Sequence, residues 1–393
     1  MNKRLWIFLL VVAVLVALMV DLPGLKIAIY GSVLFLLLNW VYVRYMPRFL
    51  QIKRYLETTR IFSTLAEENF LHFFNSSVFP LGYVFVRDAI DIHLAPRQSY
   101  LFVVSLRAKE RQMLSYTFVG RRRGKFTIGP TRVVISDVVG WFESELEYNT
   151  AKSVVVYPTL FRLTGHKYRS MQPFGVIKNP MPIFEDPTLI TGLKEYTVGD
   201  EIRRINWKVS ARQGKFYINT YQPAISSASL VILNLADENY TFHNKDYYVE
   251  RAIEVAASLL RELFFLRQEV ALLVNGRFDG VDTVLSVDLG KGDAHLTRML
   301  SELAVVELSK SIQFRDVLAE HLKGISWGLS LFVISPWLSQ ECVQHLINAY
   351  HMGHSITIIQ VGPEISKELS LWTIGFQSYY AEHEATLIQL TRL

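Results

Sequence analysis

The sequence predicts a membrane-anchored, multidomain chain of three parts: two N-terminal transmembrane helices, an all-β sandwich, and an α/β domain on a parallel sheet. Three observations predict it. Two uncharged apolar stretches, Leu5 to Val20 and Ile27 to Val43, open the chain. From about Arg60 to Pro223, short β-branched and aromatic runs are broken by turn residues; past Pro223, apolar strand-like runs alternate with helical stripes.

The helical hairpin is assigned to residues 1–50. At about 1.5 Å rise per residue, each apolar stretch makes a helix just long enough for the hydrocarbon core. A secretory signal is the competing reading of the first stretch, but no small-residue cleavage pattern closes it and the second stretch follows at once. Lys3 and Arg4 precede the first helix, and Arg44, Arg48, Lys53, Arg54 and Arg60 follow the second, against Lys26 alone in the link. The positive-inside rule puts both ends, and so the soluble domains, in the cytoplasm.

The β domain is assigned to residues 55–190. Tyr83 to Val86, Tyr100 to Leu106, Thr131 to Ile135 and Ser153 to Tyr157 read as short strands, punctuated by Pro80, Gly124, Gly129-Pro130, Gly140 and Pro158. Phe174 to Pro187, rich in Pro and Gly, reads as a surface loop. A junction covers residues 191–225, and the α/β domain residues 226–393. There Ser229 to Leu235 is continuously apolar, as a strand buried on both faces requires. Ile253, Ala256, Ala257, Leu260 and Phe264 follow as one helical stripe. Further strands are expected at Glu269 to Val274, Leu329 to Ser335 and Ser355 to Val361, with helices at His295 to Leu303, Phe314 to His321 and Ser339 to Tyr350. In such sheets ligands bind at the carboxyl ends of strands, which directs attention past Leu235 and Ile334.

The chain has 393 residues and a net charge of +5, with the basic excess concentrated beside the apolar stretches. That distribution fits attraction to anionic lipid and argues against a nucleic-acid footprint. Charged residues at 20% fit a folded remainder. The lone Cys342 excludes a disulfide within the chain.

Three motifs have chemical readings. Gly120 to Lys125 looks like a phosphate loop but is one residue short between its glycines, puts Phe126 where Ser or Thr would bind magnesium, and lies among strands; it reads as a basic turn. Gly324-Ile325-Ser326-Trp327-Gly328 matches the serine-hydrolase elbow, but a helix precedes and a strand follows, the reverse of what the elbow needs. Gly324 then reads as a helix C-cap. Cys342, His345, His351 and His354 suggest zinc, but a buried stripe of Val343, Leu346, Ile347 and Tyr350 would turn Cys342 and His345 away from the core.

The densest constellation runs from Tyr196 to Arg212. Gly199 permits a turn, Asp200 can cap a helix carrying Glu201 in its first turn, and Ile202, Ile205 and Val209 would face inward. Arg203 and Trp207 lie one helical turn apart, so a guanidinium could stack on the indole while pairing with Asp200. Gly199, Asp200, Arg203, Asn206, Trp207 and Arg212 are therefore the candidate junction or partner-binding residues, acting either as an interdomain clasp or as a partner site.

This junction, from Gly192-Leu193-Lys194-Glu195-Tyr196 through Ser210-Ala211-Arg212, resembles the signature of domain-of-unknown-function family 58 (DUF58), a group of bacterial proteins. Arg60-Ile61-Phe62, Asn75 to Pro80, Arg123 to Pro130, Asp137 to Phe142 and Val156-Tyr157-Pro158 resemble other parts of that family. The resemblance implies a Rossmann-like von Willebrand factor A domain at the C-terminus, no established activity, and partners among MoxR-type AAA+ ATPases and transglutaminase-like membrane proteins. Metal-binding domains of that kind use Asp-x-Ser-x-Ser after the first strand and an Asp after the fourth. Here the corresponding residues are Asn234, Ala236 and Glu238, with Ser335-Pro336-Trp337 after the fourth strand; a shifted register offers Asp237, Asn239 and Thr241. A degenerate metal site is expected, with no cofactor and no small-molecule substrate.

The resulting expectation is a non-catalytic, membrane-tethered adaptor or scaffold that binds other proteins. The alternatives are a metal-dependent von Willebrand factor A binding protein and a serine hydrolase using Ser326.

Overall fold

A computed structural model describes residues 12, 23–137, 139–163, 185–197, 200–223, 228–325, 328–362, 376–383 and 386–389. The first apolar stretch falls outside these residues except for Val12. The chain divides into two compact units, Met1–Leu160 with Leu300–Val305, and Phe161–Met299 with Val306–Leu393. By this division the described residues of the junction motif belong to the second unit.

In the first unit, helix α1 (Pro23–Tyr45) covers the second apolar stretch. Among the described residues, one segment, Lys26–Phe49, is long and apolar enough to cross a membrane. One 3₁₀ turn, Met46–Phe49, separates α1 from strand β1 (Leu50–Leu56). The helix end is built into the β domain: Val43 and Met46 are buried, the Tyr42 hydroxyl donates to the Pro80 carbonyl at 2.7 Å, and that of Tyr148 donates to the Pro47 and Leu50 carbonyls at 3.2 Å.

The β domain continues with β2 (Arg60–Phe62), β3 (Ala66–Asn75), β4 (Leu81–Ile90), β5 (Ser99–Leu106), β6 (Arg111–Val119), β7 (Gly124–Ser136), β8 (Glu143–Tyr148) and β9 (Lys152–Tyr157). They form a three-stranded sheet, β1-β3-β6, and a six-stranded one, β2-β9-β7-β4-β5, with β8 also on β7. Alternation gives each strand one core face. Ile52, Leu71, Phe73 and Phe118 from the smaller sheet share a core with Val84, Val86, Ile128, Val133 and Val156 from the larger. Strand β7 changes partner midway, pairing β9 through Ile128 and β8 from Thr131. The change falls at Gly129, whose φ of +94° suits glycine and where a Cβ would stand 3.0 Å from the Ala151 backbone.

A charged cluster lies inside this core. Arg54 of β1, counted by sequence in the basic flank, is buried: Nη1 donates to Asp88 Oδ2 at 3.0 Å and Asn69 Oδ1 at 2.9 Å, and Nε donates to the Thr150 carbonyl at 2.9 Å. Asp88 of β4 also accepts from Tyr116 and, at 2.7 Å, from Thr131. The cluster thus joins both sheets, and Arg54 is withdrawn from any lipid surface.

The second unit opens with β10 (Glu185–Glu195), helix α2 (Trp207–Gln213) and β11 (Tyr217–Pro223). A seven-stranded sheet follows in the order β14-β13-β12-β15-β16-β17-β18. Its strands are β12 (Ala228–Asn234), β13 (Glu269–Phe278), β14 (Val281–Gly290), β15 (Ser330–Ser335), β16 (Ser355–Gln360), β17 (Gln377–His383) and β18 (Thr386–Gln389). β13, β12, β15, β16 and β17 run parallel, with β14 and β18 antiparallel at the edges. The connecting helices are α3 (Lys245–Phe265), α4 (Asp293–Val305), α5 (Phe314–His321) and α6 (Gln340–His351). On one face, Leu230, Ile232, Leu331, Val333 and Ile358 pack with Phe314, Leu318, Val343 and Leu346 of α5 and α6. α3 contacts β12, β13 and β15, and buries Ile253, Ala256 and Leu260. Cover on both sides explains why β12 is buried almost throughout.

Two local expectations change. α5 ends at His321, followed by a 3₁₀ turn over Leu322–Gly324, so Gly324 does not cap it; the left-handed glycine is Gly328 at φ +79°. On α6, Cys342 is buried beside Val343, Leu346 and Ala349, whereas Tyr350 is 41% exposed. The core-facing stripe includes the thiol because the helix is rotated from the phase expected.

Candidate functional site

The junction forms a β-hairpin with a short helix in its connection. β10 and β11 pair antiparallel from Gly192↔Thr220 to Glu195↔Tyr217. The expected continuous helix from Asp200 does not form. Ile202–Arg204 makes one 3₁₀ turn, after which Ile205 and Asn206 leave the helical region and Ile205 bridges to Ile218. Helix α2 therefore starts at Trp207, and its cap is Asn206, whose Oδ1 accepts from Val209 N at 3.2 Å. The Asn206 amide also donates to Asn219 Oδ1 at 3.0 Å, and Ser210 Oγ accepts from Tyr217 N at 2.9 Å, tying α2 to β11. Gly214 closes the helix in the left-handed conformation.

Asp200 closes a tight turn instead of capping a helix. Its carboxylate accepts from Thr197 Oγ1 at 2.7 Å and Thr197 N at 2.9 Å, with Lys194 Nζ at 3.3 Å. The Thr197 hydroxyl first, then the Thr197 amide and Lys194, hold its pKa below the usual carboxylate value. Gly199 lies outside the described residues.

Interrupting the helix turns its apolar residues outward. Ile202, expected to face inward, is 66% exposed, and Trp207 is 63% exposed. Trp207 meets Phe216 edge-on, with ring centroids 6.1 Å apart, and Phe216 meets Tyr196 likewise at 6.4 Å. Phe216 and Leu193 are exposed as well. Arg203 and Arg212 are also exposed, so the expected buried clasp of Asp200, Arg203, Trp207 and Arg212 does not form, and the aromatic residues present an open surface. What it offers is exposed apolar area on a hydrogen-bonded frame, which suits docking.

The strand ends of the α/β sheet carry the second set of candidates. Asn234 ends β12 and Ser335 ends β15, while Asn275 of β13 lies opposite Asn234. Asn234 Nδ2 donates to Ser335 Oγ at 2.9 Å and Asn239 Oδ1 at 3.0 Å; its Oδ1 accepts from Ala236 N at 3.0 Å and Asn275 Nδ2 at 3.4 Å. Asn275 Oδ1 accepts from Leu235 N at 2.9 Å, and the Tyr240 hydroxyl donates to the Asn234 carbonyl at 2.9 Å. Asn234, Asn275 and Ser335 are buried, as is Ala236. Asp237 is engaged by Lys245 Nζ at 3.2 Å, and Glu238 and Thr241 are exposed. The donor set is neutral and mutually saturated, which does not fit a hard divalent ion that needs anionic oxygens.

The remaining motifs bring no chemistry together. Gly120 to Lys125 connects β6 to β7, with no helix after it. Ser326 and Trp327 lie outside the described residues, while the 3₁₀ turn before them and β15 after them keep the order opposite to a nucleophile elbow. Among the described residues no group of His, Cys, Asp and Glu could hold a metal. Burial raises the pKa of the Cys342 thiol.

Residues 192–379 match the family model described as "Protein of unknown function DUF58". A curated relative, the uncharacterized protein YeaD of Bacillus subtilis (strain 168), is 23% identical over 202 residues, covering 50% of this chain and 46% of the relative. The chain thus aligns with less than half of that relative's length. Together these matches support the DUF58 family. Among solved structures, a CARDB domain from Pyrococcus furiosus is similar at 19% identity and a TM-score of 0.21, over 27% of this chain and 91% of that one. The sporulation control protein Spo0M of Bacillus subtilis is similar at 9% identity and a TM-score of 0.17, over 27% and 49%. At such scores neither likeness bears on function.

Proposed function

We propose that the chain is a multi-pass membrane protein whose cytoplasmic domains act as a non-catalytic adaptor, with an AAA+ ATPase of the MoxR type as its partner. In this reading the second unit is a von Willebrand factor A-like domain without a metal. The observation that carries it is the surface formed by exposed Trp207 and Phe216 with half-buried Tyr196 behind them, lying within the segment that matches the family. Exposed aromatics on a fixed frame are the material of binding hot spots. The saturated amides at Asn234 support binding by shape and polar contact without a cation.

A photo-crosslinking amino acid in place of Trp207, in the full chain in its own membrane, tests the reading. Adducts identified by mass spectrometry should contain an AAA+ ATPase. Adducts without one, while the same probe at Phe216 also yields none, would overturn the proposed partner.

A further inference from the structure

The loop from Ser76 to Pro80 is apolar at its tip yet rigidly held. Val78 is 70% exposed and Phe79 59% exposed. Asn75 Nδ2 donates to the Phe79 carbonyl at 2.8 Å and the Arg107 carbonyl at 3.0 Å, while Asn75 Oδ1 accepts from Ser77 N at 3.0 Å. The loop is also fastened to the end of the apolar helical segment. Ser76 N and Oγ both donate to the Phe49 carbonyl at 2.8 Å, and the Tyr42 hydroxyl donates to the Pro80 carbonyl at 2.7 Å. Two apolar side chains held more than half exposed on a hydrogen-bonded loop form a patch suited to an apolar cover.

Depth identifies the cover. At 1.5 Å rise per residue, Tyr42 lies about 3 Å nearer the middle of α1 than Arg44, the first cation after the apolar stretch, and helical side chains lean further toward the N-terminus. Pro80 is bonded to that side chain, so Phe79 stands at the level where the span meets headgroups. The charges around the tip match. Arg44 and Arg48 are exposed at the end of the apolar segment, and the neighbouring β5–β6 turn brings exposed Arg107 and Lys109, with Lys109 Nζ donating to the Ser76 carbonyl. The one acidic residue of that turn, Glu110, accepts from its own turn's Arg107 N.

We infer that Val78 and Phe79 form a wedge that enters the cytoplasmic headgroup layer of an anionic bilayer and seats the β domain on the membrane. The inference rests on the reading of α1 as a membrane span. An apolar insert ringed by cations is the standard chemistry of interfacial attachment.

Site-directed spin labelling of the full chain, reconstituted in phosphatidylcholine vesicles containing phosphatidylglycerol, tests it. Single cysteines replace Phe79, Leu34 and Ile92 in a Cys342→Ala background. Where that background fails to fold, the buried native thiol stays unlabelled and the same positions are read in its presence. Leu34 is exposed on α1; Ile92 is equally apolar and exposed, but lies past the far end of β4, about 30 Å away at 3.3 Å per residue. The label at Phe79 should show a several-fold higher ratio of oxygen to water-soluble nickel-chelate accessibility than the label at Ile92. Equal, water-like ratios at Phe79 and Ile92 with a lipid-like Leu34 would overturn the wedge and leave the span. A water-like Leu34 beside a lipid-like Phe79 would overturn the span and keep the wedge. Water-like values at all three would overturn both.

Discussion

In the β domain the buried polar cluster carries full charges, Arg54 against Asp88, with neutral donors closing around them. In the α/β domain the buried cluster at the strand ends is made of amides and hydroxyls alone. Both are saturated, yet they do different things. The ion pair links residues of facing sheets, so a sheet that slips by one residue leaves a charge uncompensated, and the charge thereby specifies one alignment. The amide cluster knits three adjacent strands and leaves their ends without net charge, at the place where sheets of this architecture bind ligands. One unit uses charge to specify its own assembly, while the other removes charge where a ligand would be attracted.

The largest test of this contrast is Asp88→Ala. It leaves the Arg54 guanidinium buried and unpaired, and should lower stability by about 3–5 kcal/mol, read as urea unfolding of the detergent-solubilised chain. The double change Arg54→Met with Asp88→Leu should cost less than either charge removal alone, and an additive loss would mean that the two groups do not act as a pair. Asn234→Ala should cost on the order of 2–3 kcal/mol by stranding partners on β13, on β15 and in the segment after β12. Millimolar magnesium should not raise the wild-type melting temperature; an upward shift would restore a metal-binding reading.

A smaller effect distinguishes the units by pH. His354 precedes β16, is buried, and has its pKa held below the usual 6.5 by that burial, partly offset by a hydrogen bond to the Leu329 backbone. Below pH 6.5 the unfolded chain takes up a proton that the folded chain resists, so stability falls as pH drops through that value, and His354→Gln should flatten the decline. The smallest effect belongs to Asp200. Its lowered pKa contributes stability above the ordinary carboxylate value of 3.8 that is lost as pH falls below it. Because the turn is exposed, Asp200→Ala should move the melting temperature least of all, while reducing crosslinking from Trp207. Unchanged crosslinking would separate the Asp200 turn from the docking surface.

Much of the architecture was legible where one physical signal acted alone. Phe314 to His321 is the helix its spacing predicted, and the continuous apolar runs at Ser229 and Ser355 mark buried parallel strands. β14 is not legible in the same way, because its exposed, polar-interrupted alternation lacks the continuous hydrophobicity of its neighbours. At the junction, local pattern points to a continuous helix from Asp200 that does not form. Asp200 and Asn206 are both good caps, and the choice between them is made by Ile205 pairing with Ile218, a contact beyond the reach of local pattern. The Arg54 cluster is harder still, since its members come from five separate strands and one loop, and each looks like a surface residue in its own neighbourhood.

The connection between α1 and β1 has a consequence for how partners are met. A tether of many residues lets a domain sweep a volume whose radius grows with its length. Four residues of 3₁₀ turn, locked at Tyr42 and Tyr148, allow no such sweep. On the proposed reading of α1 as a membrane span, the β domain rides at one fixed height above the bilayer. Under that reading, encounters with another protein of the same membrane become a search in two dimensions, at a local concentration set by the density of both in the plane and not by the length of a leash.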